Sequence, residues 1–184
     1  MYGTMLDRRK KGFSLIELLV VVAIIGVLAA VGVVAFGGFL GSSKIAASKA
    51  NFKNIEKRLA SGITGCMSGM EVEFGPFKGR NPDTWTCNKP LAPNADNIAW
   101  AIYLESKDDL QNPYDANASK PVNWSNGRCP PNNPAKGQII LGYAHKNNTC
   151  AMPGNVACVS VNVGDENNDG KDDIKYTEYN LCNY

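Results

Sequence analysis

The sequence predicts an α+β protein: one long amino-terminal α-helix whose apolar half protrudes, packed against a small antiparallel β-sheet in a loop-rich, disulfide-bearing head. Three observations carry this. Residues 13–41 hold a single charge, Glu17. Ile45, Phe52, Ile55, Leu59 and Ile63 then recur at spacings of 7, 3, 4 and 4, which is one face of a helix. Beyond Cys66 the composition turns to Pro, Asn, Gly and Asp, and three late segments alternate with period two.

Residues 1–12 form a short leader. Asp7, Arg8, Arg9, Lys10 and Lys11 give it a charge of +3. Residues 13–41 are long enough to cross a hydrocarbon core. The basic leader favours a cytoplasmic amino terminus, with the remainder facing outward. A secretory signal cleaved near Ala35 is the competing reading. The carboxylate inside the apolar run, the length of that run and the helical pattern after it argue against a signal peptide.

That pattern fills residues 42–65, with Lys44, Lys49, Lys53, Glu56, Lys57 and Arg58 on the remaining faces. No proline occurs before Pro76, so one helix from about 14 to 62 is expected, roughly 70–75 Å long. Its first half is apolar all round and needs lipid or other helices on every side. Its second half needs one globular partner. Gly26, Gly32, Gly37, Gly38 and Gly41 weaken the middle by about 1 kcal/mol each relative to Ala. They mark either close helix contacts or a stretch that can melt. Gly62 and Gly65 read as stop signals.

The head, residues 66–184, begins with a short strand within 70–77. Asn94 or Asp96 caps a second helix carrying Ile98, Trp100, Ile102 and Tyr103. Residues 112–133 read as irregular surface. Strands follow at 138–144, 156–163 and 174–180, an antiparallel meander with one face over the striped helix.

The net charge of +2 marks no nucleic-acid binder. Without the leader, 15 basic and 16 acidic residues remain, a near-neutral surface that suits packing against copies of itself. Cys66, Cys87, Cys129, Cys150, Cys158 and Cys182 all follow the apolar run, which predicts disulfides in an oxidising compartment. Buried thiols or zinc are the alternatives, but no Cys-x-x-Cys occurs and His145 is the single histidine. Six cysteines leave all 15 pairings open. No nucleophile motif accompanies His145, so no enzyme is expected. Trp85, Trp100 and Trp124 read as packing residues rather than a sugar platform.

Residues 164–173 are the best ion site. Asp165, Asn167 and Asp169 stand at alternate positions ahead of Gly170, the spacing by which calcium loops converge oxygens on a hard cation. Lys171 would add its carbonyl, with Asp173 beyond it. The closing Glu is replaced by Tyr176, a role that Asp172 or Asp173 would have to fill. The alternative is a solvated acidic hairpin tip. Calcium here would be structural, and no cofactor for chemistry is expected.

The run Lys10-Lys11-Gly12-Phe13-Ser14-Leu15-Ile16-Glu17-Leu18-Leu19-Val20, continuing apolar to Ala30, closely resembles the amino-terminal signature of type IV pilins and pseudopilins. The resemblance implies the pilin fold, cleavage between Gly12 and Phe13 by a prepilin peptidase, and N-methylation of Phe13. It also implies that Glu17 pairs with the Phe13 amine of a neighbouring subunit in a helical homopolymer. An intramembrane carboxylate costs about 2.5–3.5 kcal/mol at mid-depth on insertion scales, so a partner amine is physically reasonable. Alternatively, Glu17 only complements the helix amino terminus. The implied function is a type IV pilus subunit for adhesion, motility or uptake. It would be made in a bacterial inner membrane with its assembly machinery and displayed on the cell surface. A major pseudopilin of a type II secretion system is the second reading, periplasmic, encouraged by Asn112-Pro113-Tyr114. A membrane-anchored binding protein is the third. Many relatives carry a proline in the second half of the apolar run; Val33, Val34 and Ala35 stand there instead.

Overall fold

The computed structural model describes residues 12–77, 79–80, 84–87, 95–129, 133–144 and 156–181. Residues 1–11 of the expected leader, His145, Cys150, Cys182 and the cap residue Asn94 lie outside them. The chain divides into two compact units, Met1–Gly41 and Ser42–Tyr184.

The first unit is helix throughout its described length beyond Ser14. Helix α1 spans Leu15–Met67 without interruption. Every residue from Gly12 to Gly41 is exposed. An 18-residue window of α1 reaches a mean hydropathy of 3.1 with none of it buried, long and apolar enough to cross a membrane. The five glycines do not break it.

The second unit is built on the striped part of α1. Phe52, Ile55, Leu59 and Ile63 are buried, as their spacing predicts, and Ile45 is half-buried. The four buried ones share one core cluster with Ile98 and Ile102 of helix α2 (Ala95–Ser106) and with Ile139, Leu141, Val159 and Val161 of the main sheet. Burying each such side chain contributes about 1.5–3 kcal/mol, so this stripe alone outweighs any helix propensity term.

A small hairpin-like sheet pairs β1 (Glu73–Phe74) antiparallel to β2 (Trp85–Thr86). The main sheet has the order β3-β4-β5-β6. Strands β4 (Ile139–Ala144), β5 (Val156–Gly164) and β6 (Asp173–Asn180) form the expected antiparallel meander. Strand β5 is buried along both faces, so it is the middle of the unit. Strand β3 (Val122–Ser125) lies parallel to β4, inside the segment expected to be irregular. Its signal was short. Val122 and Trp124 alternate with Asn123 and Ser125 over only four residues, directly after Pro121.

The helix stop also differs from expectation. α1 runs through Gly62 and Gly65 and ends at Met67. Gly69, at φ 76°, provides the left-handed turn. Its N–H reaches Cys66 O at 3.2 Å, and Met70 N–H reaches Gly65 O at 3.1 Å, the paired closure of a Schellman motif. Gly62 and Gly65 are instead contact glycines. A Cβ on Gly62 would meet the Phe74 ring at 3.1 Å, and one on Gly65 would overlap Val72. Among the described residues, two disulfides tie the unit together: Cys66–Cys87 joins the last turn of α1 to the residue after β2, and Cys129–Cys158 ties a loop to β5.

Candidate assembly segment and cation loop

Ser14 stands just before α1, and its hydroxyl accepts the Ile16 N–H at 3.2 Å. Glu17 reaches back, and its Oε2 accepts the Ser14 N–H at 2.8 Å. The two bonds form a reciprocal capping box on the sequence Ser-x-x-Glu. Two of the orphan donors of the helix start are satisfied this way, and the carboxylate lies against the positive end of the helix dipole. Phe13, one residue earlier, is 87% exposed. The alternative role of Glu17, complementing its own helix terminus, is therefore present in the single chain. Farther along, Ala29, Gly32, Val33, Phe36, Gly37 and Leu40 line a shallow apolar groove on the helix. A Cβ at Gly26, Gly32, Gly37, Gly38 or Gly41 would meet nothing within 4 Å.

The loop between β5 and β6 folds inward on its own amides. Asp165 accepts the Asp169 N–H at 3.0 Å and the Gly170 N–H at 2.9 Å. Asn167 accepts the Asp169 N–H at 3.2 Å, and Asp169 accepts the Lys171 N–H at 2.9 Å. Asp173 accepts the Glu166 N–H at 2.9 Å. Asp172 turns away: it pairs with Lys136 at 2.7 Å and accepts from Asn162 at 3.1 Å. The Lys136 ammonium, then Asn162, hold its carboxyl below the ordinary value. Asp172 is thereby committed elsewhere and does not replace the missing closing residue. Tyr176 sits on β6 with its hydroxyl on Glu178 at 2.5 Å. Among the described residues, no three Asp, Glu, His or Cys side chains gather as a ready metal cluster.

Sequence reasoning passed over Glu166. It bridges Lys49 of α1 and Lys175 of β6, the latter at 2.9 Å, and these cations hold its carboxyl below the ordinary range. Other basic residues of the striped helix are paired as well. Lys53 pairs with Glu56 at 2.6 Å, and Arg58 lies 3.8 Å from Glu105.

The Asn112-Pro113-Tyr114 turn is a built junction. Asn112 donates to Lys136 O at 2.9 Å and accepts the Tyr114 N–H at 2.8 Å. Tyr114 donates to Val163 O at 2.7 Å, at the root of the loop between β5 and β6. Lys44 and Lys136 stand over its ring at 5.6 and 5.8 Å. Asn51 of α1 donates to Gln111 O at 3.2 Å. The three tryptophans behave as packing residues: Trp100 and Trp124 meet edge-on at 4.9 Å, and Trp85 meets Phe77 at 4.8 Å.

The family model of the prokaryotic N-terminal methylation motif matches residues 7–33. The chain carries the prepilin leader signature. The matched motif is that of type IV pilins and pseudopilins, structural proteins. It implies processing by prepilin peptidase and a membrane-anchored precursor that polymerises. No solved structure matches the chain.

Proposed function

We propose that this protein is a type IV pilus subunit that polymerises into a surface filament used for adhesion, motility or uptake. One observation carries the reading: the methylation motif at residues 7–33 leads into a helix half whose every side chain is exposed. Such a surface is stable only in lipid or among other helices. In the membrane it anchors the precursor. In the filament the same surface becomes the shared core. Cleavage after Gly12 creates the amine of Phe13, which is methylated. Glu17 then pairs with that amine on a neighbour, which offsets the cost of a carboxylate in apolar surroundings.

Shearing filaments from cells and sequencing the subunit's amino terminus tests this. Methylated Phe13 in long fibres is the expected result. An intact leader, or a soluble protein beginning near Phe36, would overturn it.

A type II secretion pseudopilin is the second reading, favoured by the Asn112-Pro113-Tyr114 junction and its bond to the loop root. Deletion of the gene separates the two: loss of surface fibres supports the pilus, while loss of protein secretion with fibres intact supports the pseudopilin.

The loop at 165–173 is further proposed to take a structural calcium ion through Asp165, Asn167, Asp169, the Lys171 carbonyl and Asp173. Asp165, Asn167 and Asp169 each accept an N–H of the same short loop, which keeps their side chains on it, and an ion would have to draw their oxygens together. Asp165→Ala with Asp169→Ala should abolish any rise in Tm on adding calcium. If calcium does not raise the Tm of the native protein, the ion is absent.

A further inference from the structure

We propose that Asn126 is a site of spontaneous covalent modification: through a cyclic imide formed with Gly127, and with water as the co-reactant, its carboxamide becomes a carboxylate. The chemistry is the same whether or not the chain polymerises.

Asn126–Gly127 is the one Asn-Gly pair in the chain. It forms the tip of the turn that follows β3. Asn126, Gly127 and Arg128 are all exposed. Gly127 stands at φ 67°, and a Cβ there would meet nothing within 4 Å. Among the described residues, no hydrogen bond holds the Gly127 N–H or the Asn126 carboxamide. With no side chain on Gly127, its nitrogen is open to close approach. Three other turn asparagines each lack one of these conditions. Asn112 precedes Pro113, which has no N–H. Ala118, after Asn117, gives its N–H to Asp115 O at 3.1 Å. Asp169, after Asn168, gives its N–H to Asp165 at 3.0 Å.

The Gly127 nitrogen attacks Cγ of Asn126. The N–Cγ bond forms as the Cγ–Nδ2 bond breaks, and Nδ2 leaves as ammonia with the proton from Gly127. Water then opens the imide. Attack at Cγ restores the backbone and leaves an aspartate. Attack at the main-chain carbonyl of residue 126 leaves an isoaspartate, whose backbone runs through the former side chain.

The turn is fixed on both sides of its tip. Ser125 O and Arg128 O stand 2.9 and 3.0 Å from where a Cβ of Gly142 would lie, and Cys129 is bonded to Cys158. An isoaspartate adds a backbone carbon between these points and would push the tip outward. Either product places a new negative charge two residues from Arg128. In a polymer, the product would accumulate with the age of the subunit.

The test holds the full chain, purified from its cells, in detergent micelles in mildly alkaline buffer for weeks. Mass mapping follows the peptide carrying residue 126, and isoelectric focusing follows the charge. The native protein should gain about one dalton at Asn126, with an acidic isoform rising in step. Asn126→Gln should abolish both. Gly127→Ala should slow conversion about tenfold, because a methyl group crowds the attacking nitrogen. The tip needs no unfolding to react, so native and urea-unfolded chains should convert within about tenfold of one another.

A native chain that stays unconverted at Asn126, or lags the unfolded chain by more than this, would overturn the proposal. An unchanged rate in Gly127→Ala, with its Tm near native, would overturn the imide route. Equal conversion at Asn117 or Asn168 would overturn the choice of this turn.

Discussion

Helix α1 uses glycine in two opposite ways along one continuous element. Between Gly26 and Gly41 the glycines border empty space, and every neighbouring side chain is exposed. At Gly62 and Gly65 the glycines are buried, with Phe74, Ile98 and Val72 where a Cβ would stand. The later pair has a reason within the chain. The earlier five have none there, and their reason must be sought in contacts with other molecules. The same contrast holds for the apolar side chains. Ile55 and Leu59 are 0% exposed, while Val31 is 66% exposed.

Three measurements break or sharpen this comparison, beginning with the largest effect. Ile55→Ala should destabilise the Ser42–Tyr184 unit by about 2–5 kcal/mol, read as a fall in Tm of the micelle-held protein. Val31→Ala should leave that Tm within a degree or so, since surface changes fall within about 0.5 kcal/mol. Equal effects from both would erase the distinction between the halves.

Gly65→Ala should cost about 1–3 kcal/mol, because Val72 must move to admit the methyl group. Gly32→Ala should instead raise helix stability in micelles by about 1 kcal/mol. If Gly32→Ala also abolishes fibres, the empty space beside Gly32 is filled by a neighbouring helix in the filament.

The smallest effect concerns pH. Glu166 is held below the ordinary 4.5 by Lys49, then Lys175, and Asp172 below 3.8 by Lys136, then Asn162. Both contribute stability that is complete above those ordinary values and lost as pH falls through the lowered folded ones. Lys136 and Lys175 are raised above 10.5 by Asp172 and Glu166, so their contribution is complete below 10.5 and lost as pH rises through the raised values. The Tm of the native protein should hold steady between these limits and decline outside them. Lys175→Met together with Lys49→Met should remove the Glu166 part of the acid decline. These groups are solvent-accessible, so salt should shrink the whole effect.

What was legible in the sequence was whatever repeats. The stripe from Ile45 to Ile63 and the three alternating strands needed only a period to be found; burial follows that period in the helix, whereas β5 is buried along both faces. Strand β3 was missed because four residues contain barely two cycles of alternation, and Pro121, Asn123 and Ser125 carry the chemistry of a turn. Gly62 and Gly65 were misread because a glycine chosen for lack of a side chain looks, in one dimension, like a glycine chosen for its backbone. Glu166 was passed over because Lys49 lies 117 residues away in sequence and Lys175 stands across the turn on β6, so both meet it only through the fold. The Ser14–Glu17 cap had a readable spacing, but the surrounding motif drew attention to partners outside the chain. In the loop between β5 and β6, the alternating oxygens were legible. The diversion of Asp172 to Lys136 was not, since Lys136 lies 36 residues upstream.

The last turn of α1 has a mechanical consequence. Hydrogen bonds at a helix end fray singly, and a sustained pull along the helix would peel them one after another. Cys66 sits in that turn and is bonded to Cys87 beside β2. Tension entering α1 at its amino-terminal end therefore meets, at the far end, a sulfur–sulfur link instead of a row of separable contacts. Under reducing conditions the same pull should unwind the carboxy-terminal turn of α1 first.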